Sequence, residues 1–275
     1  MVRLSVILIV ALLGHAATAG VLERVAETKT FRLGYRTDAP PFSSEAEPGK
    51  RKGYSLDICR AVGDEIRAEL KLPALVIQYV AVGAENRFDK LEAGDIDILC
   101  GPTTATLSRR ERVDFSLPIF VDGAGLLVAD AAAVQNLDDV ATLRLGVRAG
   151  TTTETALHNT FPGANLRTMR DHHDGIEALL KGEIDVYFAD RTLLVTLRDT
   201  VPGADTLQIA EEYLTVEPYA LALPKGDSRF RLLVDRTISG LYLSGGIDAI
   251  ADDAFGSNRL SKLVRALYRI TPLPN

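Results

Sequence analysis

GDIDILCGPTTATLSRRERVDFSLPIF, residues Gly94 to Phe120, is the stretch on which the reading of the whole chain turns. Ile96, Ile98 and Leu99 follow Gly94 as a short apolar run, the mark of a buried strand leaving a helix end. Gly101-Pro102 stops that strand, because proline cannot donate to a sheet ladder, and the turn leaves carbonyls and threonine hydroxyls free at the strand's carboxyl end. In open α/β sheets that end binds ligands. Thr104, Thr106 and Ser108 are candidate caps for the next helix. Arg109 stands inside that helix, where a guanidinium could take a carboxylate through two parallel hydrogen bonds. Taken alone, Arg109-Arg110-Glu111-Arg112 reads as a solvated charged face.

Outward from this stretch, the N-terminus carries Arg3, an apolar run from Leu4 to Leu13, and Ala17-Thr18-Ala19 before Gly20. That is the layout of a secretory signal peptide, residues 1–19, cleaved near Ala19-Gly20. The apolar run is well short of the ~20 residues a membrane span needs. An exported, soluble chain is expected. The formal net charge of −6, without any basic block, makes nucleic acid and anionic membrane poor partners, so any anion site must be built locally. The two cysteines, Cys59 and Cys100, fit either a disulfide or two buried thiols. Neither CxxC nor metal-ligand spacing occurs, and no metal or cofactor is expected.

The chain echoes itself. Arg32-Leu33-Gly34-Tyr35-Arg36 returns as Arg144-Leu145-Gly146-Val147-Arg148, and Gly94-Asp95-Ile96-Asp97-Ile98 returns as Gly182-Glu183-Ile184-Asp185-Val186. The two motifs stand further apart in the first half than in the second, which argues against a fixed-period solenoid. Two α/β lobes of one plan are expected, the first with an extra unit made of the amphipathic helix Ser55–Leu70 and the strand Leu75–Val80. Eight residues after Gly94 comes Pro102, and eight after Gly182 comes Asp190. The two halves therefore offer equivalent strand ends to one cleft.

Pro102-Thr103-Thr104, then Arg109, then Val113-Asp114-Phe115-Ser116 and Pro118 resemble the signature segment of the amino-acid-binding periplasmic proteins of ABC importers, solute-binding protein family 3. The resemblance runs over nearly the whole chain after the leader. It implies a two-lobed periplasmic-binding-protein (type II) fold, each lobe a mostly parallel sheet flanked by helices, with two crossing strands as hinge. The implied division is 20–124 plus 224–275 for lobe 1, 129–217 for lobe 2, and hinge strands at 125–128 and 218–223. It also implies a periplasmic monomer that binds a free amino acid between its lobes and delivers it to a membrane permease, with no bond broken.

The family's roles carry over residue by residue. Arg109 takes the ligand's α-carboxylate, Pro102 and Thr104 take its ammonium, and Asp190 supplies the opposing charge. Gly150-Thr151-Thr152 opens a helix, whose free N–H groups and dipole attract an anion; Thr151 and Thr152 are equal candidates, with ordinary capping as part of their work. Arg36, Arg87 and His172 resemble the residues that surround the side-chain carboxylate in the glutamate/aspartate-binding subgroup. A second buried carboxylate needs such counter-charges. The chain departs from the subgroup at Ala39, Ala84 and Pro102. The competing reading is an enzyme on the same scaffold, similar to a periplasmic cyclohexadienyl dehydratase, which would need Glu217 or His172 as acid or base.

Overall fold

Apolar runs bounded by glycine or proline form strands, and the amphipathic stretches between them form helices, in the computed structural model, which describes residues 20–131, 134, 136–256 and 260–274. The expected signal peptide lies outside the described residues. The first half contains α1 (Val21–Thr28), β1 (Thr30–Tyr35), a small antiparallel sheet of β2 (Asp38–Ala39), β3 (Ser43–Glu47) and β4 (Lys50–Lys52), then α2 (Tyr54–Glu69), β5 (Val76–Ala81), α3 (Arg87–Glu92), β6 (Ile98–Cys100), α4 (Leu107–Arg112) and β7 (Asp114–Asp122). Next come β8 (Ala124–Val128), β9 (Arg144–Arg148), α5 (Thr152–Thr160), β10 (Asn165–Met169), α6 (His172–Leu180), β11 (Val186–Asp190), α7 (Arg191–Thr200) and β12 (Gln208–Ile209). The chain finishes with β13 (Glu217–Leu223), α8 (Ser228–Ser244), α9 (Gly246–Phe255) and α10 (Lys262–Ile270).

Two five-stranded sheets share one plan. The first runs β5-β1-β6-β13-β7 and the second β10-β9-β11-β8-β12. In each, the second strand pairs in parallel with the first and third, while the fourth lies antiparallel to both of its neighbours. The helix and strand expected as an extra unit of lobe 1, α2 and β5, thus have counterparts in α5 and β10. What lobe 1 adds instead is the β2–β4 sheet, inserted directly after β1. That insertion lengthens the first half.

The sequence echo has a physical basis. The main-chain N–H and guanidinium of Arg32 donate to the Asp97 carboxylate at 2.7 and 2.9 Å, and Asp97 N–H returns a bond to the Arg32 carbonyl at 2.9 Å. Arg144 and Asp185 repeat this at 2.8 and 2.6 Å, with a return bond of 2.8 Å. Each arginine–aspartate pair therefore pins the start of one strand to the start of its neighbour. A side chain at Gly34 would overlap Cδ1 of Ile96, and one at Gly146 would overlap Cδ1 of Ile184. Those isoleucines belong to the second motif of each pair, so the glycine and the isoleucine are one packing unit.

The sheets meet where the chain crosses twice, side by side. Glu217 pairs with Asp122; Leu214 N–H donates to the Ala124 carbonyl at 2.8 Å, and Ala124 N–H to Thr215 Oγ1 at 3.0 Å. Gly123 stands between β7 and β8, where a Cβ would strike the Thr215 carbonyl. Strands β8 and β13 each lie wholly within one sheet, so the change of sheet falls at Gly123 and in residues 210–216.

The lobe 1 core holds Phe31, Leu33, Ile58 and Phe230 with a group of rings around Phe42, whose centroid lies 5.0 Å from Phe120 and 5.2 Å from Tyr219. In lobe 2, alternation along the strands sends Leu127 and Tyr187 to one face of the sheet and Leu126 and Phe188 to the other. Both faces are covered, as a largely parallel sheet requires. Each such large side chain contributes roughly 1.5–3 kcal/mol on burial. Cys59 on α2 and Cys100 at the end of β6 are joined in a disulfide, with Cα atoms 6.2 Å apart, which ties the helix to the strand that leads into the site.

Candidate functional site

Strand ends from both sheets line one interlobe cavity. From lobe 1 come Arg36 just after β1, Arg87 opening α3, Pro102 and Thr104 after β6, and Arg109 in α4; from lobe 2 come Arg148 ending β9, Thr151, Thr152 and Thr153 opening α5, His172 opening α6, and Phe188, Ala189 and Asp190 ending β11. Each of the nine residues singled out from sequence, Arg36, Arg87, Pro102, Thr104, Arg109, Thr151, Thr152, His172 and Asp190, is in this lining.

Cations gather in one part of the cavity. Arg36, Arg87 and Arg148 are 3, 3 and 5 % exposed. Arg36 Nε donates to Asp38 Oδ1 at 2.8 Å, and Arg148 Nε reaches from the other lobe to Asp38 Oδ2 at 3.2 Å. Burial pushes the Asp38 carboxyl up, but Arg36, His172 and Arg148 outweigh it and hold it at about 2. Arg148 also donates to Glu85 at 3.3 Å. Arg87 is placed differently: no carboxylate among the described residues pairs with it, and its Nε is buried without a hydrogen-bond partner. Burial first, and then the charges of Arg36, Arg109 and Arg148, pull its pKa well below the usual guanidinium value. Arg109 donates to the Thr104 carbonyl at 2.9 Å and also lacks a carboxylate partner among the described residues. The Arg87 and Arg109 guanidiniums lie against the same Phe88 ring, 5.0 and 5.2 Å from its centroid.

Of the carboxyls, Asp190 lines the cavity, and Asp122 and Glu217 lie close enough to act on it. Glu217 accepts from the hydroxyls of Thr104, of Thr152 at 2.9 Å and of Thr215 at 2.7 Å. Asp122 accepts from Thr192 N–H at 3.1 Å. Burial, followed by the charges of Asp122 and Glu217, pushes the Asp190 carboxyl up to about 7. Burial is also the main cause that lifts Asp122 to about 6. The two form a crowded acidic pair that a cation would relieve.

The structure separates the two threonines that sequence left level. Thr151 caps α5, accepting from Glu154 N–H at 3.2 Å while donating to the Arg148 carbonyl at 2.8 Å. Thr152 turns its hydroxyl across the cleft, to Glu217 and to within 3.4 Å of Thr104 Oγ1. His172 is buried, and its Nδ1 lies 2.9 Å from the Tyr187 hydroxyl. Burial first, with Arg36 and Arg148 against the opposing pull of Asp38, lowers its pKa to about 3. It meets the cleft as a neutral ring.

Sequence reasoning passed over Arg148, Asp38 and Asp122, and considered Glu217 only for an enzyme. Arg148 had a signal: it ends RLGVR as Arg36 ends RLGYR, so the echo places two arginines at equivalent strand ends. Among the described residues no cluster of His, Cys, Asp or Glu could hold a metal ion, and no helix is long and apolar enough to cross a membrane.

The family model for bacterial extracellular solute-binding proteins, family 3, matches residues 31–257. An L-glutamate/L-aspartate-binding protein of Pseudomonas aeruginosa is 33 % identical over 261 residues, which cover 92 % of this chain and 86 % of that one. A glutamate/aspartate import solute-binding protein of Escherichia coli is 28 % identical, covering 87 and 80 %. Among solved structures, a cysteine-binding protein from Campylobacter jejuni superposes with a TM-score of 0.78 at 23 % identity, covering 88 % of this chain and 97 % of that one. An ancestral amino acid-binding protein described as a precursor of cyclohexadienyl dehydratase gives a TM-score of 0.76 at 23 % identity, covering 85 and 99 %.

Proposed function

Because this chain belongs to the bacterial extracellular solute-binding proteins of family 3, we propose that it is the exported binding component of an amino-acid ABC importer, that it works in the periplasm, and that its ligand is a free acidic amino acid, glutamate or aspartate. Lobe 1 (20–124 and 224–275, with β13 in its sheet) and lobe 2 (129–217, with β8 in its sheet) close on the ligand about the paired crossings, and a membrane permease receives it. The observation that carries this reading is the charge of the cleft: among the described residues Arg87 and Arg109 have no carboxylate in an ion pair, and Asp190 and Asp122 have no cation in one. A zwitterion with a second carboxylate neutralises both.

In this mechanism Arg109 clamps the α-carboxylate, with Thr152 and the α5 N-terminus beside it. The Pro102 carbonyl, Thr104 and Asp190 hold the ammonium. Arg87 meets the side-chain carboxylate, with Arg36 and the neutral His172 behind it. Charge-assisted hydrogen bonds in a site closed to water support micromolar or tighter binding, about −8 kcal/mol or beyond. The protein carries out no reaction; the neutral, buried His172 and the triply hydrogen-bonded Glu217 are poor candidates for proton transfer. Calorimetric titration of the purified protein with each common amino acid tests the proposal. Saturable heat with glutamate or aspartate is expected. Silence with every amino acid, or turnover of prephenate or arogenate to an aromatic product, overturns it.

A further inference from the structure

The four arginines of the cleft are not equivalent. Asp38, on β2, uses one carboxylate oxygen for each of two guanidiniums: Oδ1 for Arg36, at 2.8 Å from Nε and 2.6 Å from Nη2, and Oδ2 for Arg148 of the other lobe at 3.2 Å. An incoming carboxylate at either arginine would have to share it with a resident one and would be repelled by that one. Arg87 and Arg109 have no such resident. Both lie against the Phe88 ring, 5.0 and 5.2 Å from its centroid, and Arg87 Nε, like Arg36 Nη2, is buried without a hydrogen-bond partner among the described residues.

We propose that Asp38 is a built-in counter-ion that sets ligand length: it occupies Arg36 and Arg148, so the ligand's two carboxylates must both be met by the neighbouring Arg87 and Arg109, and aspartate is taken over glutamate. This inference rests on the reading of the cleft as an acidic amino-acid site. The added methylene of glutamate carries its second carboxylate toward the guanidiniums that Asp38 already fills. Asp38 also joins the lobes through Arg148, which makes its ion pairing part of the closed state.

The test is calorimetric titration of the wild type and of Asp38→Asn with aspartate and with glutamate, taking the ratio of the two dissociation constants. The wild type should prefer aspartate by about tenfold or more, the usual effect of one methylene in a fitted site. Asp38→Asn, which frees two guanidiniums at nearly constant volume, should shrink that preference at least several-fold by gaining glutamate affinity. Asp38→Ser provides the same comparison should the first variant fold poorly. Equal or tighter glutamate binding by the wild type overturns the inference while leaving an acidic amino-acid site intact. So does a ratio that folded variants leave unchanged within about twofold. Loss of all binding in a folded wild type overturns the inference and the functional reading together.

Discussion

Filling the ammonium end of the cleft should expel protons, and the size of the effect follows from the acidic pair. Asp122 and Asp190, lifted to about 6 and about 7 chiefly by burial, share protons around neutral pH while no cation is present, Asp190 about half of one at pH 7 and Asp122 about a tenth. A bound ammonium favours their ionised forms and draws both back toward the ordinary carboxylate range. Binding is then coupled to release of between one and two protons at about pH 6 and about half a proton at about pH 7, so affinity should rise roughly twenty-fold between pH 6 and 8. His172, at about 3, stays neutral throughout and contributes nothing to the slope. The sign for stability is opposite. Carboxyls whose folded pKa is raised support the folded state at low pH, and that support is lost as pH rises through 6 and 7. The unliganded protein therefore weakens across this window, and ligand should raise its melting temperature more at pH 8 than at pH 6. Calorimetry with aspartate in two buffers of different ionisation enthalpy measures the protons directly, and Asp190→Asn should remove most of the dependence. Heats that do not depend on buffer, or affinity that grows on acidification, would refute the reasoning.

Three further outcomes follow. Arg109→Gln should weaken amino-acid binding by 2–5 kcal/mol, about thirty- to several-thousand-fold, since it strips one partner from a buried charge pair; the guanidinium's hydrogen bond within the protein goes to the Thr104 carbonyl, which leaves little fold stability to lose. A change below about threefold by calorimetry, in a variant with an unshifted melting temperature, contradicts that role. Replacing Cys59 and Cys100 together by alanine should cost roughly 2–4 kcal/mol in urea unfolding, the usual value for a closed loop of this length, and an unchanged midpoint contradicts it. Gly34→Ala should destabilise by about 1–3 kcal/mol through its clash with Ile96 Cδ1, and adding Ile96→Val should recover part of the loss; strictly additive effects would show that the two residues are not one packing unit.

The fold was legible because its signals are local. Glycine stops, a proline that ends a strand and the doubled RLG and G-x-I-D motifs each act within a few residues, and the sheets that result obey one plan. The lining of the cavity was legible for the same reason, since a residue just past a strand's carboxyl end must face the cleft. The Arg148–Asp38 bond spans 110 positions and has no periodicity to announce it. Asp122 could not be found, because an acid at the end of an apolar strand is more often solvated, and its importance comes from Glu217 arriving beside it on the returning chain. The choice between Thr151 and Thr152 hangs on where α5 starts to within one residue, which is finer than capping patterns resolve. The expected extra unit failed as an inference because α5 and β10 are short and polar. Burial of one face was enough to make them the counterparts of α2 and β5.

Duplication of one plan also explains why capture and closure should be the same event. Equivalent strand ends carry Arg36 and Arg148 after the first motif of each half, and Pro102 with Thr104 and Asp190 after the second. Each pole of the cleft is thus assembled from both lobes. A lobe standing alone offers a ligand only half of its cationic end and half of its acidic end, in water where ion pairs are weak. Full contact exists only when the lobes meet, so an amino acid binds the closed form far better than the open one, and that difference in affinity is what can shift the population. The direct bonds between lobes, among them Arg148 to Asp38 and to Glu85 and Thr152 to Glu217, are modest beside Arg87, Arg109 and a crowded acidic pair that a bound zwitterion would satisfy. Closure without ligand leaves those charges uncompensated; closure with it does not.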